Sequence, residues 1–189
     1  ELLIAAPTYE EDVGGIRFIP GAAGYGALDP FPVQGVVLNG VNDNDRAGWD
    51  LAFVGDMDGD GVEDILTGAY QFSENNGAVY LISTSASSGS LADHYLYEHP
   101  NIDSQFGYAL VPLGDLNADG FDDALVSAPS EDTEGNNRGG VFLLYGGDLS
   151  APLQSVPVLY GESNGDRLGY SMKNVGDVNG DGEAEILIG

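Results

Sequence analysis

The feature that most constrains this chain is an internal repeat. Three segments superimpose residue for residue: RAGWDLAFVGDMDGDGVEDILTGA from Arg46, SQFGYALVPLGDLNADGFDDALVSAP from Ser104, and DRLGYSMKNVGDVNGDGEAEILIG from Asp166. The leading aspartates of their acidic cores, Asp56, Asp115 and Asp177, are 59 and 62 residues apart. ELLIAAP at Glu1 to Pro7 matches EILIG at Glu185 to Gly189 and DALVSAP at Asp123 to Pro129, so the chain starts at the point of the repeat where it stops. About three periods of roughly sixty residues are expected, cut inside a unit at both ends. The absence of a starting Met agrees with a fragment.

Each period reads as four short strands separated by turn signals. In the best-defined one these are Leu51 to Val54, Asp64 to Ala69, Ala78 to Ser83 after Asn76-Gly77, and His94 to Glu98. No helical periodicity is sustained. Four-stranded units repeating at this length without helices predict an all-β chain of antiparallel propeller blades. The expected units are a partial blade over 1–41 carrying strands two to four, blades over 42–100 and 101–162, and a partial blade over 163–189. Such an open set of blades leaves two blade faces uncovered, so the isolated chain is expected to be marginal or oligomeric.

Twenty-nine glycines, about twice the usual frequency, fit many tight turns. There is no cysteine, which excludes a disulfide scaffold, a zinc-thiolate site and thiol catalysis. With 31 acids against 5 Lys and Arg the net charge is −26, which repels phosphate backbones and anionic lipid surfaces and favours cations. Nucleic acid is therefore not an expected partner. No apolar run is long enough for membrane insertion.

The acidic loops place oxygen donors at positions one, three, five and nine, with glycine at six: Asp56, Asp58, Asp60 and Asp64 around Gly61; Asp115, Asn117, Asp119 and Asp123 around Gly120; Asp177, Asn179, Asp181 and Glu185 around Gly182. Crowded hard oxygens on a tight turn suit Ca²⁺, which accepts six to eight ligands in an irregular shell, better than octahedral Mg²⁺. Glycine at six lets the carbonyl at seven turn inward, which adds the carbonyls of Val62, Phe121 and Glu183. About three Ca²⁺ sites are expected. An EF-hand would need a bidentate Glu at position twelve and flanking helices, whereas position twelve is Thr67, Val126 and Ile188, inside β-runs.

The Phe106-Gly107 pair, the GDxNxDGxxD core and the Ala-Pro after a β-run resemble FG-GAP repeats, the blades of the integrin alpha-chain amino-terminal propeller and of many secreted bacterial proteins. Departures are Ala47-Gly48 and Leu168-Gly169 for the FG pair, and Ala5-Ala6-Pro7, Gly68-Ala69-Tyr70 and Ser127-Ala128-Pro129 for the GAP triplet. The resemblance implies a segment of a larger, about seven-bladed, propeller from a secreted bacterial or archaeal protein. It implies structural calcium in the loop joining the first two strands, closed by position nine from the second strand. It also implies a protein or glycan partner on the opposite face, at connections such as Tyr70 to Asn76 and Ser130 to Arg138. Extracellular modules of this kind bind calcium at roughly 10⁻⁴ to 10⁻³ M, so a secreted or cell-surface location is expected.

The remaining candidates have structural readings. Asp45 and Asp166, three residues before the glycine of their repeats, and Ser104 in the second copy are expected to hold turns. His94 and His99 are five apart and face opposite ways on an extended strand, which disfavours a metal or catalytic pair. Tyr25, Trp49, Tyr70, Tyr95 and Tyr97 suit strand packing, with a saccharide- or protein-binding surface as the other use. Lys173 lies in an inner-strand pattern without a nucleophile context. No GxSxG, HExxH or phosphate loop occurs. The expectation is a non-enzymatic adhesion or recognition module, with an accessory propeller of a secreted hydrolase or lyase as the alternative.

Overall fold

A computed structural model describes residues 2–8, 13–19, 36–83, 89–91, 94–101, 103–133, 136–147, 154–182 and 184–189. The strands are β1 (Leu2–Ala5), β2 (Gly15–Ile19), β3 (Val36–Asn39), β4 (Leu51–Gly55), β5 (Asp64–Ala69), β6 (Ala78–Ser83), β7 (Gly89–Ser90), β8 (Tyr95–Glu98), β9 (Leu110–Gly114), β10 (Asp123–Ala128), β11 (Gly140–Tyr145), β12 (Gln154–Tyr160), β13 (Met172–Asn174) and β14 (Ile186–Ile188). They form four sheets: β1-β2-β3-β7, β4-β5-β6-β8, β9-β10-β11-β12 and β13-β14. The second and third are four-stranded antiparallel meanders. In the second sheet the strands fall where the turn signals place them, one residue longer at Gly55 and one shorter at Tyr95. In the first sheet β7 runs parallel to β3, so a connection of the second unit completes the sheet of the unit before it.

The sheets stack face to face, which is why the central strands are apolar on both sides. Every residue of β5 and of β10 is buried. Alternation sends Ile65 to the cluster shared with Ile16 and Leu38 of the first sheet, and Leu66 to the cluster shared with Ala124 and Val126 of the third. Leu125, Val141 and Leu143 point the other way, against Met172, Ile186 and Ile188. The outer strand β12 is mostly exposed, including Val156, Val158 and Leu159.

The joint between sheets is the same at all three junctions. Gly14, Gly77 and Gly139 form isolated parallel bridges with Ala47, Phe106 and Leu168, the first residues of the FG-type pairs. The backbone N–H of Phe106 donates to Asn76 O at 3.2 Å, as Ala47 does to Val13 O (3.3 Å) and Leu168 to Arg138 O (2.9 Å). The approach is close enough that a Cβ at position 77 would lie 2.2 Å from Phe106 O, so only glycine fits.

Side chains lock the central joint. Ser104 Oγ donates to Asn76 O at 2.6 Å. His99 is buried, stacked on Phe106 with centroids 4.8 Å apart and edge-on to Phe142, and its Nδ1 lies 3.2 Å from Ser104 Oγ. Asp45 and Asp166 close the turns expected of them, accepting from the backbone N–H of Asn42 (3.1 Å) and Ser163 (2.7 Å). The short helical turn Phe72–Asn75 in the β5–β6 connection has left-handed dihedrals at Ser73 and Glu74 and buries Phe72 against Tyr80. Among the described residues no helix is long and apolar enough to cross a membrane.

Phe106 is fully buried at this joint. Phe106→Ala is expected to cost about 3 to 5 kcal/mol in urea unfolding, whereas Leu116→Ala, at a residue 61% exposed, should stay within about 0.5 kcal/mol.

Candidate functional site

The acidic loops leave the inner strands through a repeated irregularity. Registers pair Phe53 with Ile65 but Gly55 with Asp64, and Pro112 with Ala124 but Gly114 with Asp123. One extra residue, Val54 or Leu113, thus precedes the first and second loops, and such a bulge bends the strand and re-aims the loop. The chain then reverses at position six, where Gly61, Gly120 and Gly182 have φ of +85°, +96° and +96°. A Cβ at any of the three would meet nothing within 4 Å, so the requirement there is conformational, not steric.

Backbone N–H groups hold the carboxylates in place. The acid at position one accepts from the glycine at six in every loop: Asp56 from Gly61 (3.0 Å), Asp115 from Gly120 (2.9 Å), Asp177 from Gly182 (2.9 Å). The acid at position nine reaches back to the N–H of position two: Asp64 to Met57 (3.0 Å), Asp123 to Leu116 (3.0 Å), Glu185 to Val178 (2.8 Å). At position five, Asp60 and Asp119 accept from Val62 (2.8 Å) and Phe121 (3.0 Å).

Two of the loops gather carboxylates to metal-binding distance. Asp56, Asp58 and Asp64 present ligand atoms all within 4.8 Å of one another, as do Asp177, Asp181 and Glu185. In the second loop Asp115, Asp119 and Asp123 do not form such a group. There Asn117 Nδ2 donates to Asp119 (2.9 Å), and Asp123 also accepts from Gly146 (3.0 Å). In the third loop the Asn179 amide donates to both Asp181 and Glu185. Glu183, whose carbonyl the sequence adds to the third set, lies outside the described residues, as does Tyr25.

Burial separates the three sites. Asp64 is fully buried and its Oδ1 has no hydrogen-bond partner. Burial, with Asp58 beside it, pushes the Asp64 carboxyl up to about 7. Burial also raises Asp58 and Asp123. Exposed Asp177 goes the other way, because the N–H groups of Gly182 and Gly180 favour its charged form. A buried acid with an orphaned oxygen, grouped with two further acids, fits a cation, which would supply the missing positive charge.

At the far ends of the same inner strands lies an aromatic row. Trp49, Tyr108 and Tyr170 each follow the FG-type glycine of their repeat. Trp49 packs on Tyr70 (4.7 Å) and Tyr108 (5.4 Å), and Tyr108 on Tyr170 (4.9 Å). Arg46 Nη1 donates to the Tyr70 hydroxyl at 3.0 Å, and Tyr170 is 54% exposed. Tyr108 and Tyr170 do not stand out as binding candidates in the sequence, although their place after each glycine of the repeat is a signal that alignment of the copies contains. Tyr95 and Tyr97 pack against the central core, as strand packing predicts.

The repeat, the bridge at each FG-type pair and the acidic loop between first and second strands agree with the FG-GAP repeat family model, which matches residues 47–82 and 106–144. The chain belongs to the FG-GAP repeat family. Its sheets are blades of an integrin-alpha-like β-propeller, open in this segment. It is 37% identical to mouse integrin alpha-7 over 160 residues, covering 82% of this chain and 13% of that protein. Against human integrin alpha-7 it is 34% identical over 163 residues, covering 83% and 13%. Human integrin alpha-IIb matches across the whole chain at 29% identity, over 18% of its own length. The chain therefore spans under a fifth of these relatives.

The native Asp64 carboxyl keeps its proton up to about pH 7, whereas an unfolded aspartate loses it near 3.9. Between these values the native state binds the extra proton, so stability falls as pH rises. In calcium-free buffer, stability is expected to drop between about pH 4 and pH 8, with this residue contributing on the order of 4 kcal/mol. Asp64→Asn should remove that part of the slope in urea titrations at stepped pH.

Proposed function

We infer that this chain is a calcium-stiffened segment of an extracellular adhesion or recognition propeller, non-enzymatic, with cations at one end of its inner strands and a partner at the other. The observation that carries the cation half is the buried, unpartnered Asp64 Oδ1 beside Asp56 and Asp58. Calcium at each loop neutralises the carboxylates and fixes the turn from first to second strand, so that blades keep their angle. The ligand sets are Asp56, Asp58, Asp60, the Val62 carbonyl and Asp64; Asp115, Asn117, Asp119, the Phe121 carbonyl and Asp123; and Asp177, Asn179, Asp181, the Glu183 carbonyl and Glu185. The units run over 1–41, 42–100, 101–162 and 163–189.

The recognition half rests on the aromatic row. Trp49, Tyr70 and Tyr108 touch one another, Tyr108 passes the row on to exposed Tyr170, and Arg46 bonds the buried Tyr70, an aromatic arrangement of the kind that protein and glycan interfaces favour. This end carries Arg46 beside the rings, together with acids such as Asp45 and Asp166 that hold its turns. The similarity to integrin alpha chains supports a cell-surface setting and a protein or glycan partner. It gives no support to the accessory role beside a hydrolase or lyase.

Two measurements test the reading. In calorimetric calcium titration the four-carboxylate first loop is expected to be the tightest site, in the range of roughly 10⁻⁴ to 10⁻³ M. Asp56→Ala should abolish it, and a tightest site that survives this change refutes the assignment. On arrays of extracellular-matrix proteins and glycans, Trp49→Ala with Tyr108→Ala should lose captured ligand while keeping calcium-dependent thermal stability. Capture that is indifferent to the aromatic pair but lost with the acidic loops would place recognition on the wrong face.

A further inference from the structure

The first and second acidic loops belong to different blades, yet they are bolted together. The backbone N–H of Asp56, position one of the first loop, donates to Asp122 Oδ2 at 2.7 Å. The N–H of Asp122 returns a bond to Asp56 O at 3.0 Å, and Gly147 N donates to Met57 O at 2.8 Å. The approach is close: a Cβ at Gly55 would lie 1.9 Å from Asp122 Oδ2, and one at Gly59 would lie 2.5 Å from the Phe121 ring. Asp122 is position eight of the second loop, between Phe121 and the buried acid Asp123. None of the proposed ligand sets uses its side chain.

The corresponding residues are Glu63 in the first loop and Ala184 in the third. Ala184 carries no acceptor, so the second loop has no such clamp from the third. The coupling this geometry allows is confined to one pair of loops.

We propose that Asp122 is a positioning residue that couples the cation sites of the first two loops, so that filling the second raises the affinity of the first. This rests on the calcium reading above. In the second loop Asp115, Asp119 and Asp123 are not gathered, whereas Asp56, Asp58 and Asp64 are. A cation entering the second loop draws Asp123 toward Asp115 and Asp119 and immobilises its chain neighbour Asp122. Asp122 in turn fixes both backbone groups of Asp56, so the first loop loses less conformational freedom when its own cation arrives. Linkage makes the effect reciprocal.

The test follows the Gly61 amide by NMR during calcium titration of the intact chain, since that N–H donates to Asp56 Oδ2. Asp119→Ala, which disables the second loop, is expected to weaken the first at least about fivefold. Asp122→Ala should weaken it by a similar factor, and Asp119→Ala added to Asp122→Ala should change little more. Asp122→Asn, which keeps an oxygen acceptor, should recover most of the affinity, which a mere loss of folding would not. First-loop midpoints unchanged within twofold in Asp119→Ala and Asp122→Ala overturn the coupling while leaving calcium binding intact. A Gly61 signal that never responds to calcium overturns the calcium reading of that loop, and the coupling with it.

Discussion

Everything in this molecule hangs on a close backbone approach repeated at three junctions. The bridge from Gly77 to Phe106, and its equivalents at Gly14 and Gly139, sets each blade at a fixed distance from the one before it. Because the backbones are in contact, the sheets above and below are held near enough for β5 and β10 to bury both faces. Residues 47, 106 and 168 then start inner strands that run away from the joint. One end of each inner strand carries an aromatic ring and the other an acidic loop.

This arrangement divides the labour of the repeat. Apolar burial works across the blades, through the three clusters between sheets. Charge works along one rim, where Asp64 is buried without a partner for Oδ1. A protein with net charge −26 gains little from surface ion pairs, having few cations to offer, so neutralisation from outside is the efficient solution where acids converge. The rims differ in character although they are built by the same strands.

Much of this architecture was legible in the repeat, because the copies can be laid over one another: β4, β5, β6 and β8 fall at the predicted segments, and position six of each loop takes the predicted positive φ. The acidic positions were equally visible by their spacing. What spacing could not carry was contact between copies. Asp122 looks like one more acid in a run, and only the fold sets it against Asp56. The difference between loops was likewise hidden: Asp115, Asp119 and Asp123 share the pattern of the first set, but Asn117 and Gly146 hold them otherwise. His99 reads as half of a disfavoured pair, and its role as a stacked plug between Phe106 and Phe142 depends on residues distant in the chain.

The outer strand of the third sheet has a consequence for the company this chain keeps. Among the described residues β12 is an edge strand with Val156, Val158 and Leu159 exposed, the composition from which fibrous aggregates grow. Pro157 removes one donor from that strand, and the register slips opposite Val141 and Phe142, so a second copy meets an interrupted ladder. The first sheet solves the same difficulty differently, by borrowing Gly89 and Ser90 to cover its edge. A graft or deletion that swapped one outer strand for the other would keep the blade but forfeit its protection against self-association.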